Sequence, residues 1–394
     1  MRLPFRSPWL LAILGALTAL PSLSVDIGLP AMPAIAAGLA VAPGDVQATL
    51  SAFLVGFAAG QLVHGAASDR VGRRAVLIAG LAVFVAAGVA CAVTRSLYVL
   101  IAMRGVQGIG ACAGVVVARA MIRDVFEHGE GTRNQSLLSL ASNLGTLLGP
   151  LAGGVLVTAV GFRAVYAVLP VVGAVLLVAC ARWVPETWRA VAAGPARAGY
   201  RHLLADRRVM GPVILNGLAF AGMFACIAAS PQLLLGSFAV TPTGLGTFFA
   251  LVALASLAGS WLNHALLARF SLSALSSLGL VLVGVAAAVL VVAASAAPSL
   301  YLVAAAMMGH VLACGIVMPN AIAAAMAPVP RSAGTVAAVV GCAQAASGAA
   351  AAALVAIAPH SLGGLAAVVA GFSLLAIAVG AQNTRRSQLS IVAG

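Results

Sequence analysis

The chain contains no lysine; all 21 of its basic residues are arginine. That removes the phosphate-contacting lysine of a Walker A loop and the amine nucleophile of a Schiff-base enzyme. Uphill movement of a solute by this chain alone would have to draw on an ion gradient. Acids are scarcer, eight in all, and charged residues make up 7% of the 394. Soluble domains carry about 25%, so a soluble globular fold is excluded. The formal charge of +13 sits largely between apolar runs, so nucleic-acid binding is not expected. The six cysteines, Cys91, Cys112, Cys180, Cys226, Cys314 and Cys342, lie in apolar runs without a C-x-x-C pair. They read as small buried residues and give no metal or redox signal. H-E-x-x-H and G-x-S-x-G are also absent, which leaves an intramembrane enzyme without visible machinery.

What is present is apolar: 63% of residues are hydrophobic and the mean hydropathy is +1.13. Twelve apolar runs can be marked, from Trp9–Met32, Val46–Ala66 and Ala75–Val93 to Leu362–Ala381. Most can cross a bilayer of about 30 Å as helices. Arg2 and Arg6 precede the first run, which continues to Asp26 and Pro30 without an A-x-A site; it reads as a span and not as a signal peptide. Arginines crowd alternate connections, and only Arg95 and Arg163 fall opposite. The positive-inside rule then puts both termini in the cytoplasm. The longest polar connection, residues 185–208, separates six-helix halves at 1–184 and 209–394. The halves echo each other. Ser96-Leu97-Tyr98 recurs 203 residues on as Ser299-Leu300-Tyr301, and Ala59-Gly60 recurs 199 residues on as Ala258-Gly259. A duplicated six-helix unit is expected. The fold class is an all-α integral membrane protein of twelve transmembrane helices.

Ionisable residues inside a span normally face a cavity and serve a function. Asp26 is the one acid within a run. It reads either as a proton site, since burial favours the neutral form of a carboxyl, or as a residue near the outer surface that meets water. Arg104, within the fourth run, either faces a cavity beside Gln107 or snorkels outward. Gln107 and His310 are repeat equivalents, 203 residues apart, so both are candidates to line a central cavity; His310 is the rival proton site. Phe53, Phe57, Asn216, Phe220, Phe224 and Gln344 complete the candidate substrate surface, with lipid-facing or interhelical packing as the alternative for each.

One short stretch, Gly65 to Arg74, read GAASDRVGRR, combines an acid, three arginines and two glycines between spans. The fifth run carries Gly145, Gly149-Pro150 and Gly153-Gly154, a face of small residues with a kink, which by itself says close helix packing.

These motifs resemble the major facilitator superfamily, and within it the drug:proton antiporters of the bicyclomycin and chloramphenicol resistance branch. GAASDRVGRR is similar to the loop signature G-x-x-x-D-R-x-G-R-R. Asp26 with Leu29-Pro30-Ala31 and Pro33, Arg104 with Gln107-Gly108, Arg123-Asp124, the fifth-run glycines, Pro319-Asn320 and Ala333-Gly334-Thr335 resemble further markers of that branch. Gly28 stands where the branch usually has tyrosine, Ala66-Ala67 replaces Pro-Leu, and Ser136 replaces a glycine; these departures touch substrate choice and not the fold.

The resemblance implies a monomeric antiporter of the bacterial inner membrane with no cofactor and no metal, driven by the proton gradient. It would export a small, largely apolar drug by alternating access; transport of an endogenous metabolite, or a sensor without transport, is the alternative. Asp26 and Arg104 would couple protons. Gly65, Asp69, Arg70, Gly72, Arg73 and Asp124 would form a cytoplasmic gate, with Asp69 meeting the start of the eleventh helix near Ala333–Thr335 and Arg73 bridging to Asp124. Gly145, Gly149, Pro150, Gly153 and Gly154 would form the antiporter motif.

Overall fold

In a computed structural model, the chain is described at residues 4, 7–126, 128–187, 203–295, 299–328, 333–358 and 361–392. Among these there is no strand, and twelve helices are long and apolar enough to cross a membrane. Helices satisfy their own backbone, which is what lipid demands. The principal helices are α1 Pro8–Asp26, α2 Ala48–Val71, α3 Arg73–Val93, α4 Leu97–Val125, α5 His128–Ala159 and α6 Phe162–Trp183. There follow α7 Arg207–Ser230, α8 Pro242–Leu266, α9 Leu272–Ser295, α10 Leu300–Met326, α11 Ala333–Ile357 and α12 Leu362–Val392. Side-chain oxygens open several of them, among them Thr241, Ser271 and Ser361, which accept from the Gly244, Ala274 and Gly364 amides. Ser7 accepts from the Trp9 amide at 3.3 Å, and Asp206 accepts from the Arg208 amide at 2.8 Å.

Two compact units emerge: Met1–Val191 with Val240–Ala250, and Ala192–Ala239 with Leu251–Gly394. Most of the polar linker expected between halves, residues 188–202, lies outside the described residues.

Each unit contains the same glycine joint. In the first, a β-carbon on Gly60 of α2 would meet Cys112 at 2.8 Å and the Ile109 carbonyl of α4 at 3.0 Å. In the second, a β-carbon on Gly259 of α8 would run into the Leu312 carbonyl and approach Gly315 of α10 at 3.2 Å. Gly259 follows Gly60 by 199 residues, while Leu312 and Gly315 follow Ile109 and Cys112 by 203. The two offsets read from the sequence are thus realised in one packing motif. A polar tie also leaves the equivalent position of α2 and α8, but it lands on different places, since Asn320 corresponds to Val117 and not to Ile109. His64 Nε2 donates to the Ile109 carbonyl at 2.9 Å, and Asn263, 199 residues on, exchanges amide hydrogen bonds with Asn320 at 3.2 and 2.8 Å.

Two expectations need correction. GAASDRVGRR is not a loop: α2 runs through Val71, α3 starts at Arg73, and the connection is the single residue Gly72. Polar composition ends the membrane span but not the helix: the Ser68 hydroxyl donates to the Gly65 carbonyl within the last turn, and Arg73 reaches back across Gly72 to Asp69. Gly72 then reverses the chain at φ 98°, ψ 154°, a region open essentially to glycine. The first run is also not one helix to Met32. α1 stops at Asp26, a 3₁₀ turn covers Leu29–Ala31, and a short helix follows at Met32–Leu39. Pro30 and Pro33 lack the backbone donors that would continue the α1 ladder, so the chain tightens into a 3₁₀ turn while Met32, before Pro33, stays in the α region at φ -51°, ψ -47°.

Candidate functional site

The first unit holds a parallel seam between α1 and α5. Thr18 Oγ1 donates to the Leu138 carbonyl at 3.0 Å, Ser22 and Ser142 share a hydroxyl bond at 3.0 Å, and Asp26 bonds Thr146. Every rung joins residues 120 apart. Glycines make the close approach possible. A β-carbon on Gly145 would sit 2.7 Å from the Ala19 carbonyl, and one on Gly149 2.9 Å from Asp26 Cβ. One on Gly153 would sit 2.9 Å from the Ile27 carbonyl carbon. Pro150 lies inside α5, and Gly154 is buried beside it. The fifth-run motif is therefore the surface on which the end of α1 rests, and it delivers Thr146 to Asp26. Asp26 is 6% exposed.

Arg104 of α4 is 2% exposed and does not snorkel. Its Nη1 donates to Gln107 Oε1 at 2.7 Å and its Nη2 to the Ser24 carbonyl of α1 at 3.0 Å. The guanidinium lies 4.4 Å from the centre of the Phe53 ring and 5.9 Å from that of Tyr166. Two carbonyl-type oxygens and two ring faces thus stand in for a carboxylate partner. Neither a hydrogen bond nor an ion pair joins Arg104 to Asp26; the link runs through α1, whose Ser24 carbonyl lies two residues before the acid. Phe53 is buried beneath Arg104, and Gln107 is enclosed by Gly88 of α3 and Pro170 of α6. Phe57 is half-buried.

At the other end of α2 and α3, Arg73 gathers three acceptors. Its Nε donates to Asp124 at 3.0 Å, and its Nη1 to Ser68 at 2.7 Å and to Asp69 at 2.5 Å. The Asp69 side chain is 59% exposed and that of Asp124 22%. The Asp124 pair is the better shielded, and exposed pairs contribute about 0–1 kcal/mol. Arg70 is exposed, and Gly65 has open space where a side chain would point. The side chains of Ala333–Thr335, the expected partners of Asp69, lie outside the described residues.

In the second unit, Asn216 of α7 donates to the Met318 carbonyl at 3.1 Å. Phe220 and Phe224 stack at 5.8 Å, and Gln344 is half-buried. His310 is 1% exposed and lies against Gly222 of α7. Like Gln107, it is enclosed within its own helical unit.

Sequence reasoning missed four groups. Thr146 stands inside the fifth-run motif, but a threonine in a span commonly bonds its own helix; only the constant spacing to Asp26 marks it. Tyr166 of α6 hides in an apolar stretch. Glu186 and Thr187 follow α6 and read as linker. Glu186 instead accepts from the Arg73 and Arg74 amides at 3.0 and 3.1 Å, capping α3, and Thr187 donates to Asp124 at 3.4 Å.

Comparison with known proteins agrees with this architecture. The family model described as Major Facilitator Superfamily matches residues 14–352. The chain is 34% identical over 264 residues to the multidrug resistance protein D of Escherichia coli, covering 66% of this chain and 67% of that one. It is 30% identical over 255 residues to a bicyclomycin resistance protein homolog of Haemophilus influenzae, covering 64% of each. The chain thus spans about two thirds of the length of these curated relatives. Among solved structures, it superposes with a TM-score of 0.77, over 98% of both chains at 16% identity, on a bacterial homologue of the human lysosomal transporter Spinster, in an inward-facing and occupied conformation. With the family match running through both glycine joints and the α1–α5 seam, the chain belongs to the Major Facilitator Superfamily.

Proposed function

We propose that this chain is a proton-coupled exporter of small, largely apolar compounds in the bacterial inner membrane, working by alternating access. The observation that carries the reading is Asp26, the single acid within a span, buried at the end of α1 and held by a hydroxyl from α5. A carboxyl so placed can take up a proton on one side and release it on the other. A proton crossing 100 mV supplies about 2.3 kcal/mol. Arg104, anchored to α1 through Ser24, keeps a fixed positive charge on the same helix segment. The Arg73 cluster acts as the cytoplasmic gate, with both termini on that side and the monomer as the working unit. The names of the relatives, which speak of multidrug and bicyclomycin resistance, support drugs as the substrate class. The test uses purified protein in lipid vesicles with an imposed pH gradient and chloramphenicol as the first probe of a drug panel. Gradient-dependent drug movement with counter-movement of protons is expected. Movement of none of the panel, or movement indifferent to the gradient, would remove the reading.

A further inference from the structure

The seam between α1 and α5 does more than join two helices. Its lower rungs, Thr18 on the Leu138 carbonyl and Ser22 on Ser142, fix the register. With those two satisfied, Thr146 is the side chain that arrives at Asp26. Slipping α5 by one turn would bring Ser142 or Pro150 there instead. Gly149 abuts Asp26 Cβ closely enough that no side chain fits between, and Thr146, one turn before it on α5, bonds the carboxyl.

The other helices packed on α1 are α4 and α6. α4 carries Arg104, Arg119, Arg123 and Asp124; the one that bonds α1 beside Asp26 is Arg104, whose guanidinium is engaged with Ser24, Gln107 and the Phe53 ring. From α6 the titratable group is Tyr166, which lies over Arg104 and bonds Thr49. Neither makes a hydrogen bond to Asp26.

We infer that Thr146 is a positioning residue: its hydroxyl donates to the Asp26 carboxylate and sets the pH at which Asp26 exchanges its proton. A hydrogen bond to the charged form favours that form, and Asp26 is 6% exposed. Deleting the donor makes the carboxyl hold its proton to higher pH. A hydrogen bond to a charged group is strong enough to move such a midpoint by about one pH unit.

This rests on Asp26 being the proton site, and the test separates the two ideas. Full-length protein in lipid vesicles is titrated while infrared difference spectra follow the carbonyl stretch of protonated carboxyls. The band lost in Asp26→Asn is the Asp26 signal. Thr146→Val is expected to raise its midpoint by about one pH unit, and Thr146→Ser to leave it near wild type. If the valine variant does not fold, Thr146→Ala is read the same way. An unchanged or lowered midpoint, or no titrating Asp26 band in the wild type, overturns the inference. Absence of gradient-driven chloramphenicol movement would instead sink the antiport reading and leave the midpoint shift standing.

Discussion

The carboxylate of Glu186 occupies the space that a side chain on Gly72 would need. A β-carbon there would lie 2.8 Å from Glu186 Oε2, and the backbone at Gly72 has φ 98°. The backbone conformation demands glycine at the single-residue connection between α2 and α3, and an added methyl group would also displace the Glu186 carboxylate. Gly72→Ala is expected to destabilise by about 1–3 kcal/mol through backbone conformation alone, with loss of the cap in addition. Gly65, in the same motif, would leave an added methyl group with nothing within 4 Å, and Gly65→Ala is expected to be neutral or slightly stabilising. Thermal midpoints of the two detergent-purified variants decide; equal midpoints would show that the motif's glycines are interchangeable.

Glu186→Gln keeps the shape of the cap and removes its charge. The amides of Arg73 and Arg74 would then share one neutral carbonyl in place of two carboxylate oxygens at 3.0 and 3.1 Å. Charged acceptors bond roughly twice as strongly as neutral ones, so fraying at the start of α3 should increase. Amide hydrogen exchange at residues 73–76 should quicken several-fold, with the middle of α3 unchanged. Exchange that stays at the wild-type rate would reduce Glu186 to a solvated linker acid.

Arg104→Lys should not rescue Arg104. A lysine can reach one of the two oxygens, but it lacks the planar fork that donates to Gln107 and Ser24 at once while lying over Phe53. Gradient-driven transport is expected to fall at least tenfold in Arg104→Lys, close to the level of Arg104→Met. Near-wild-type transport by the lysine variant would mean that charge alone matters and the fork does not.

Asp26→Asn keeps the size of the side chain and removes its titration. It is expected to abolish uphill transport in vesicles while drug binding persists. His310→Gln should be milder, because His310 is enclosed against Gly222 within the second unit. Vesicle assays with and without a pH gradient compare the two. Full coupling in Asp26→Asn would end its role, and loss of coupling confined to His310→Gln would transfer it to α10.

Much of the fold was legible because lipid imposes a length and an apolar composition on every span, and duplication repeats Gly60 as Gly259. The Arg73–Asp124 pair was legible only through the resemblance of GAASDRVGRR and Arg123-Asp124 to known motifs; the charges alone leave Arg70, Arg73, Arg74 and Arg123 as rivals. The end of α2 was not legible. A polar stretch after a span looks like a loop, and nothing in its composition separates a loop from a helix that continues into water as far as Val71. The surroundings of Arg104 were hidden for another reason. Its partners are a backbone carbonyl and aromatic rings, and neither leaves a mark in sequence that separates it from ordinary packing.

The duplication also supplies an internal control for the Arg73 cluster. Carrying GAASDRVGRR forward by 199 residues gives HALLARFSLS, with Ala268 at the place of Asp69, Ser271 at that of Gly72 and Leu272 at that of Arg73. The second unit therefore contains the same helix end stripped of its acid, its glycine and its organising arginine. There α8 stops at Leu266, four residues short of where α2 would have carried it, and residues 267–269 run on as turns. Arg269 and Phe270 both hydrogen-bond back to the Leu266 carbonyl at 2.9 Å. The second unit, which lacks the cluster, thus ends its helix four residues earlier and closes it with hydrogen-bonded turns in place of a polar helical extension.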